Sequence, residues 1–121
     1  MKKIRFMLFA LLAMLYATNA SALIKGNKIT RDGLTYEVTY MDVAHDGLPD
    51  RYEAKFVSSN LSGALTIPST VKDENNQYTF NVTAIDANST VPNATSVSIP
   101  NSVTTINANA FKGNNITSIT I

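Results

Sequence analysis

From Leu34 to Tyr40 every second residue is apolar: Leu34, Tyr36, Val38 and Tyr40 alternate with Thr35, Glu37 and Thr39. A period of two predicts a half-buried strand with those four side chains on its inner face. Arg51 to Val57 alternates in the same way, through Tyr52, Ala54 and Phe56. The two segments predict an antiparallel hairpin with a long connection that holds the breakers Asp46-Gly47 and Leu48-Pro49-Asp50. Asp32-Gly33 is a turn signal in front of it, and Leu23 to Arg31 is expected to fray or to form a short edge strand. Further on, Ala64 to Ile67 reads as a short strand stopped by Pro68. Tyr78 to Val82 reads as another, returning from the polar tip Lys72 to Gln77.

Past this point the pattern repeats itself. Val82-Thr83-Ala84-Ile85-Asp86-Ala87-Asn88 matches Val103-Thr104-Thr105-Ile106-Asn107-Ala108-Asn109 at a spacing of 21, and Thr95–Ile99 matches Thr117–Ile121 at 22. Leu65 to Val71 resembles Val97 to Val103 at 32, an excess that a hairpin insertion at 72–82 accounts for. Units of about 22 residues fall in the range of leucine-rich-repeat solenoids. Strand phase then predicts two apolar columns, Leu65/Val97/Ile119 and Ile67/Ile99/Ile121, with Val82/Val103 and Ile85/Ile106 on the opposite wall. Phe111 is expected to plug the space beneath a turn, where the preceding repeat offers Thr90 and Val91. A turn or short helix ending in Gly or Asn closes each unit. Thr66, Ser96, Ser98, Ser118 and Thr120 point away from the core and form a hydroxyl face.

The run Thr95 to Ile106, followed by Asn109-Ala110-Phe111-Lys112-Gly113, resembles the BspA-like leucine-rich-repeat family of bacterial secreted and surface proteins. Its order is strand, Ile-Pro-x-x-Val, x-x-Ile, Ala-Phe. Asp32 to Val38, Ser62 to Pro68 and Tyr78 to Val82 are similar to the segments that precede the first repeat in such proteins. The resemblance implies a secreted or cell-surface protein that mediates protein binding or adhesion through a repeat face, with no catalytic residues. The expected fold is mainly β, with N-terminal β-hairpins leading into a short leucine-rich-repeat-type solenoid with little helix. Its expected segments are a signal peptide over 1–22, an N-terminal β-strand cap region over 23–60, and BspA-like repeats over 61–121. Such stacks usually need about three repeats and a cap. The last strand, ending at Ile121, is therefore expected to be an apolar edge. The alternative reading is a truncated structural repeat fragment that self-associates there.

Composition changes the picture in one respect. Lys2, Lys3 and Arg5 precede the apolar run Phe6 to Tyr16, and Ala20-Ser21-Ala22 has the small-x-small form of a cleavage site. Cleavage removes three of ten basic residues against nine acidic ones, so the net charge passes from +1 to −2. The basic balance belongs to the signal, and the mature part has no Lys/Arg cluster suited to nucleic acid. No mature segment is apolar enough to predict a membrane span. With no Cys, an exported chain has no disulfides, and packing must hold it together.

The candidate chemistry is sparse, and no catalytic, cofactor or metal site is expected. The loop Asp42 to Glu53 has carboxylates at positions 1, 5, 9 and 12 and Gly47 at 6, an arrangement near that of a calcium loop. Ala44 stands at ligand position 3, so a plain polar connection is the competing reading. His45 is the single histidine and has no Cys with which to build a zinc site. Tyr36, Tyr40, Tyr52 and Tyr78 suit core and edge packing better than a carbohydrate or protein contact.

Overall fold

The computed structural model describes residues 24–42 and 50–121. The expected signal peptide, His45 and most of the calcium-like loop lie outside the described residues. The architecture is mainly β, with no helix among the described residues, so the turns that close the repeats are turns throughout. Two sheets enclose the core. The larger runs β1(Lys28–Arg31)-β2(Leu34–Asp42)-β3(Arg51–Ser59)-β6(Thr79–Thr90)-β5(Thr70–Lys72), with β8(Thr105–Ile106) also on β6. The smaller runs β4(Gly63–Thr66)-β7(Ala94–Ser98)-β9(Ser118–Thr120).

The first hairpin is set by its turn. Arg31 pairs with Leu34, so Asp32 and Gly33 are the whole loop, and both have positive φ, 52° and 82°. This is the mirror-image turn that matches strand twist, and Asp-Gly adopts it readily. Gly33 is also needed for space, because a Cβ there would lie 2.9 Å from the Leu61 side chain. β2 and β3 form the expected antiparallel hairpin, with Tyr36 opposite Phe56 and Val38 opposite Ala54, all four buried.

The phase then breaks. The register shifts between Val38 and Tyr40, so Tyr40 faces Glu53 and Met41 faces Tyr52. Met41 packs against the core and Tyr40 is 40% exposed, which corrects the expectation that Tyr40 shares the inner face. A bulge adds one residue to one strand, and with a side-chain period of two, one extra residue flips everything after it.

The expected insertion is antiparallel, β5 on β6, with Val71 opposite Phe80. Asp73 closes it from within. Its buried carboxylate accepts the backbone N–H groups of Gln77 and Tyr78, both at 2.7 Å. β6 continues for twelve residues and pairs in parallel with β3, Ala54 with Val82 and Phe56 with Ile85. Strands on either side of the expected boundary at residue 60 thus share one sheet. That pairing is non-local and follows from no pattern within either segment.

In the smaller sheet Leu65 pairs with Val97 and Val97 with Ile119, all in parallel. Leu65, Ile67, Val97 and Ile99 are buried, whereas Ile119 and Ile121 are 49% and 78% exposed. On the opposite wall Ile85 pairs with Ile106, and Val82 and Ile85 are buried, but Ile106, on the two-residue edge strand β8, is 46% exposed, which corrects its expected place in the core. Successive turns are clipped together at the repeat spacing. Asn107 Nδ2 donates to the Ile85 carbonyl at 2.8 Å, Thr104 Oγ1 to Thr83 and Thr117 Oγ1 to Thr95. Asn88 and Asn109 both turn through positive φ, 63° and 64°. Phe111 is buried and stacks at 6.2 Å on Phe56 of β3. Its N–H reaches the carbonyl and hydroxyl of Ser89, so Ser89, not Thr90, is its neighbour one turn earlier. Val91 fills the core there.

Candidate functional site

The five hydroxyl residues come from the smaller sheet. Parallel pairing puts Thr66, Ser98 and Thr120 in one row and Ala64, Ser96 and Ser118 in the next. Rows form because parallel, in-register strands about 4.8 Å apart place equivalent side chains side by side. Thr66, Ser118 and Thr120 are exposed, and Ser96 and Ser98 are half-buried. The face carries hydroxyls and methyls and no charge. Ala64 breaks the second row at its first position. Thr66 also borders a hollow of about 350 Å³ shared with Arg31, Asp32, Tyr36, Thr70 and Lys72.

The outer face of the larger sheet is different. Charges alternate across four strands: Lys28 Nζ contacts Glu37 at 2.7 Å, Lys55 Nζ contacts Glu37 at 3.6 Å and Asp86 at 2.7 Å. The hydrogen bond from Lys28 holds the Glu37 carboxyl below its ordinary pKa. The hydrogen bond to Asp86 pushes the Lys55 ammonium up. Each charge is matched by its neighbours, so the row supports the sheet and leaves little for a charged ligand.

Beside this row lies Tyr40. The Arg51 guanidinium sits 4.2 Å from its ring centroid, and Arg51 pairs with Glu53 at 2.5 Å. Two hollows share Thr39 and Tyr40 in their walls. One, about 360 Å³, is lined by Lys25, Thr39, Tyr40, Met41 and Asp42. The other, about 330 Å³, is lined by Tyr40, Arg51, Glu53, Thr83 and Thr104 among others. The remaining tyrosines pack as expected. Tyr36 meets Phe56 edge-on at 6.1 Å, and Tyr52 lies 5.3 Å from Tyr78 and 5.7 Å from Phe80. Burial, and secondarily the charge of Asp32, push the Tyr36 phenol up to about 12. Sequence periodicity missed the Tyr40 patch because nothing local marks a bulge at Thr39.

Among the described residues no three His, Cys, Asp or Glu side chains gather as a metal site. The calcium-like loop is described only at Asp42 and from Asp50 to Glu53. In the described residues no helix is long and apolar enough to cross a membrane.

No protein-family model matches the chain, and the search of curated proteins finds no match. The crystal structure of the pneumococcal vaccine antigen PcpA is similar, with a TM-score of 0.63 at 16% sequence identity. The likeness covers 81% of this chain and 27% of that of PcpA, so the chain spans about a quarter of that protein's length. At this identity the likeness is one of fold: a β-rich arrangement shared with part of PcpA is what this chain has.

Proposed function

We propose that the chain is a secreted or cell-surface protein of the BspA-like leucine-rich-repeat kind, non-catalytic, that binds a protein or surface molecule through its hydroxyl face. Residues 61–121 are then a short leucine-rich-repeat-type solenoid, with 23–60 as its cap region. The observation that carries this reading is the in-register parallel sheet β4-β7-β9. Its strands β7 and β9 are 22 residues apart, β4 and β7 are 32 apart with the hairpin between them, and the pairing aligns Thr66, Ser98 and Thr120. Extended repeat faces are the surfaces such folds use for binding. The fold likeness to PcpA, a vaccine antigen by its description, is in keeping with a surface location.

The test is capture of extracellular-matrix proteins and bacterial surface material by the immobilised chain. Retention that disappears when Thr66, Ser98 and Thr120 are all replaced by Lys supports the reading. Retention equal in the triple variant removes the hydroxyl face from it. The second reading, self-association through β9, draws on the exposed Ile119 and Ile121. A chain that sediments as a monomer at all concentrations removes that alternative.

A further inference from the structure

We propose that Tyr40 and the two hollows beside it form a binding site for a neutral oligosaccharide, separate from the β4-β7-β9 face. The first observation is the bulge. Without it, Tyr40 would continue the inward row of Leu34, Tyr36 and Val38. Bulges re-aim side chains, and here the effect is to leave a large aromatic ring on an outer face. An isolated exposed tyrosine needs no explanation by itself. This one is held in place by the Arg51 guanidinium at 4.2 Å. With Thr39, it also lines both hollows.

The second observation is what surrounds the ring. Lys25 and Arg51 carry positive charge, and Asp42 and Glu53 carry negative charge, so the site has no net charge. A phosphate or sulfate ligand would meet a carboxylate in either hollow. An apolar ligand would find little beyond Tyr40 and the half-buried Met41 and Ala84. What the walls offer instead is a mixture of donors and acceptors. Beyond their mutual ion pair, Glu53 keeps a second carboxylate oxygen that accepts and Arg51 keeps further N–H donors, and the hydroxyls of Thr39 and Thr83 do either. Thr104 Oγ1 already donates to the Thr83 carbonyl, which leaves its lone pairs as acceptors. Sugar hydroxyls need this mixture, and the C–H face of a pyranose packs on a tyrosine ring. Because the Arg51 guanidinium covers one face of the ring, one sugar unit would pack on the other face, and the polar walls of the neighbouring hollow suit a second, linked unit. Small-molecule sites have the same form, an aromatic surface with a few placed polar groups.

The test is a ¹H–¹⁵N titration of the chain with chitotetraose and, separately, maltotetraose. Each is taken to about 10 mM, enough to populate a millimolar complex. The expected result is a set of shifts confined to residues 39–42, 51–53, 83–84 and 104–105 with at least one sugar. Tyr40→Ala weakens that binding about tenfold, the factor expected for one lost ring contact, while Tyr40→Phe keeps it. Glu53→Gln, which keeps the Tyr40 side chain and removes the carboxylate, also weakens it, so the case stands if Tyr40→Ala does not fold. Shifts with neither sugar, or shifts unchanged in both Tyr40→Ala and Glu53→Gln, overturn the proposal. So does a preference for a sulfated heparin tetrasaccharide at the same residues.

Discussion

Replacing Phe111 tests both the core and the repeat turn, and the order of two variants decides the matter. The ring is buried and leans on Phe56, and the backbone beneath it has φ of 60°. Truncation to Ala removes an aromatic group from a core that cannot fully collapse, at a cost of about 3–4 kcal/mol. Ala inherits the left-handed backbone, which costs an L-residue about 1–2 kcal/mol. Gly loses the same ring and escapes that strain, but it has more freedom to lose from the unfolded chain, by about 0.5–1 kcal/mol. Phe111→Gly is therefore expected to be more stable than Phe111→Ala by about 0.5–1 kcal/mol, the reverse of the usual order. Urea unfolding read by tyrosine fluorescence gives both values, since the chain has five Tyr and no Trp. At a slope of about 2 kcal/mol/M, the Ala midpoint falls by about 2 M. A cost below about 1 kcal/mol would place the ring outside the core. Ala more stable than Gly would refute the left-handed turn and the repeat geometry built on it.

Two further outcomes follow from side chains already described. Asp73→Ala leaves the Gln77 and Tyr78 N–H groups without their acceptor. It should cost about 1–3 kcal/mol, measured by the same unfolding curves, with faster amide exchange confined to residues 73–80; exchange that speeds up evenly over the whole chain would count against the local role. Tyr36 links stability to alkaline pH. Its folded pKa of about 12 lies above the ordinary 10, so the unfolded chain loses that proton first. Stability contributed by this group is intact below pH 10 and falls as pH rises toward 12, by up to about 1.4 kcal/mol per pH unit. Tyr36→Phe should flatten that part of the stability curve, and an unchanged slope in the variant would be inconsistent with a buried phenol.

The strands were legible where the pattern was local. Leu34–Val38 and Tyr52–Phe56 alternate cleanly, Asp32-Gly33 can hardly be anything but a tight turn, a spacing of 22 aligns Val97 with Ile119, and a spacing of 32, lengthened by the hairpin insertion, aligns Leu65 with Val97. The hydroxyl rows were legible for the same reason, since a parallel register makes rows out of repeats. Tyr40 was not. Its inward assignment follows from periodicity, and a single extra residue at the bulge reverses it. The role of Ser89 beneath Phe111 was also hidden, because polar residues in a turn carry no period.

The strand-rich class, the repeat spacing, the buried pairs Leu65/Val97 and Ile67/Ile99 of the two columns and the turn at Asp32-Gly33 can all be read from the residues in order. These depend on alternation, backbone preference and self-similarity, all of which act within a few residues or copy themselves along the chain. Contacts across the chain are what join β3 to β6 in one sheet, bring Phe111 to Phe56, and leave Tyr40 facing outward where it lines two hollows. Those outcomes depend on which surfaces meet across the chain and on where a ladder slips by one residue. Both are settled by packing, which a local pattern does not encode.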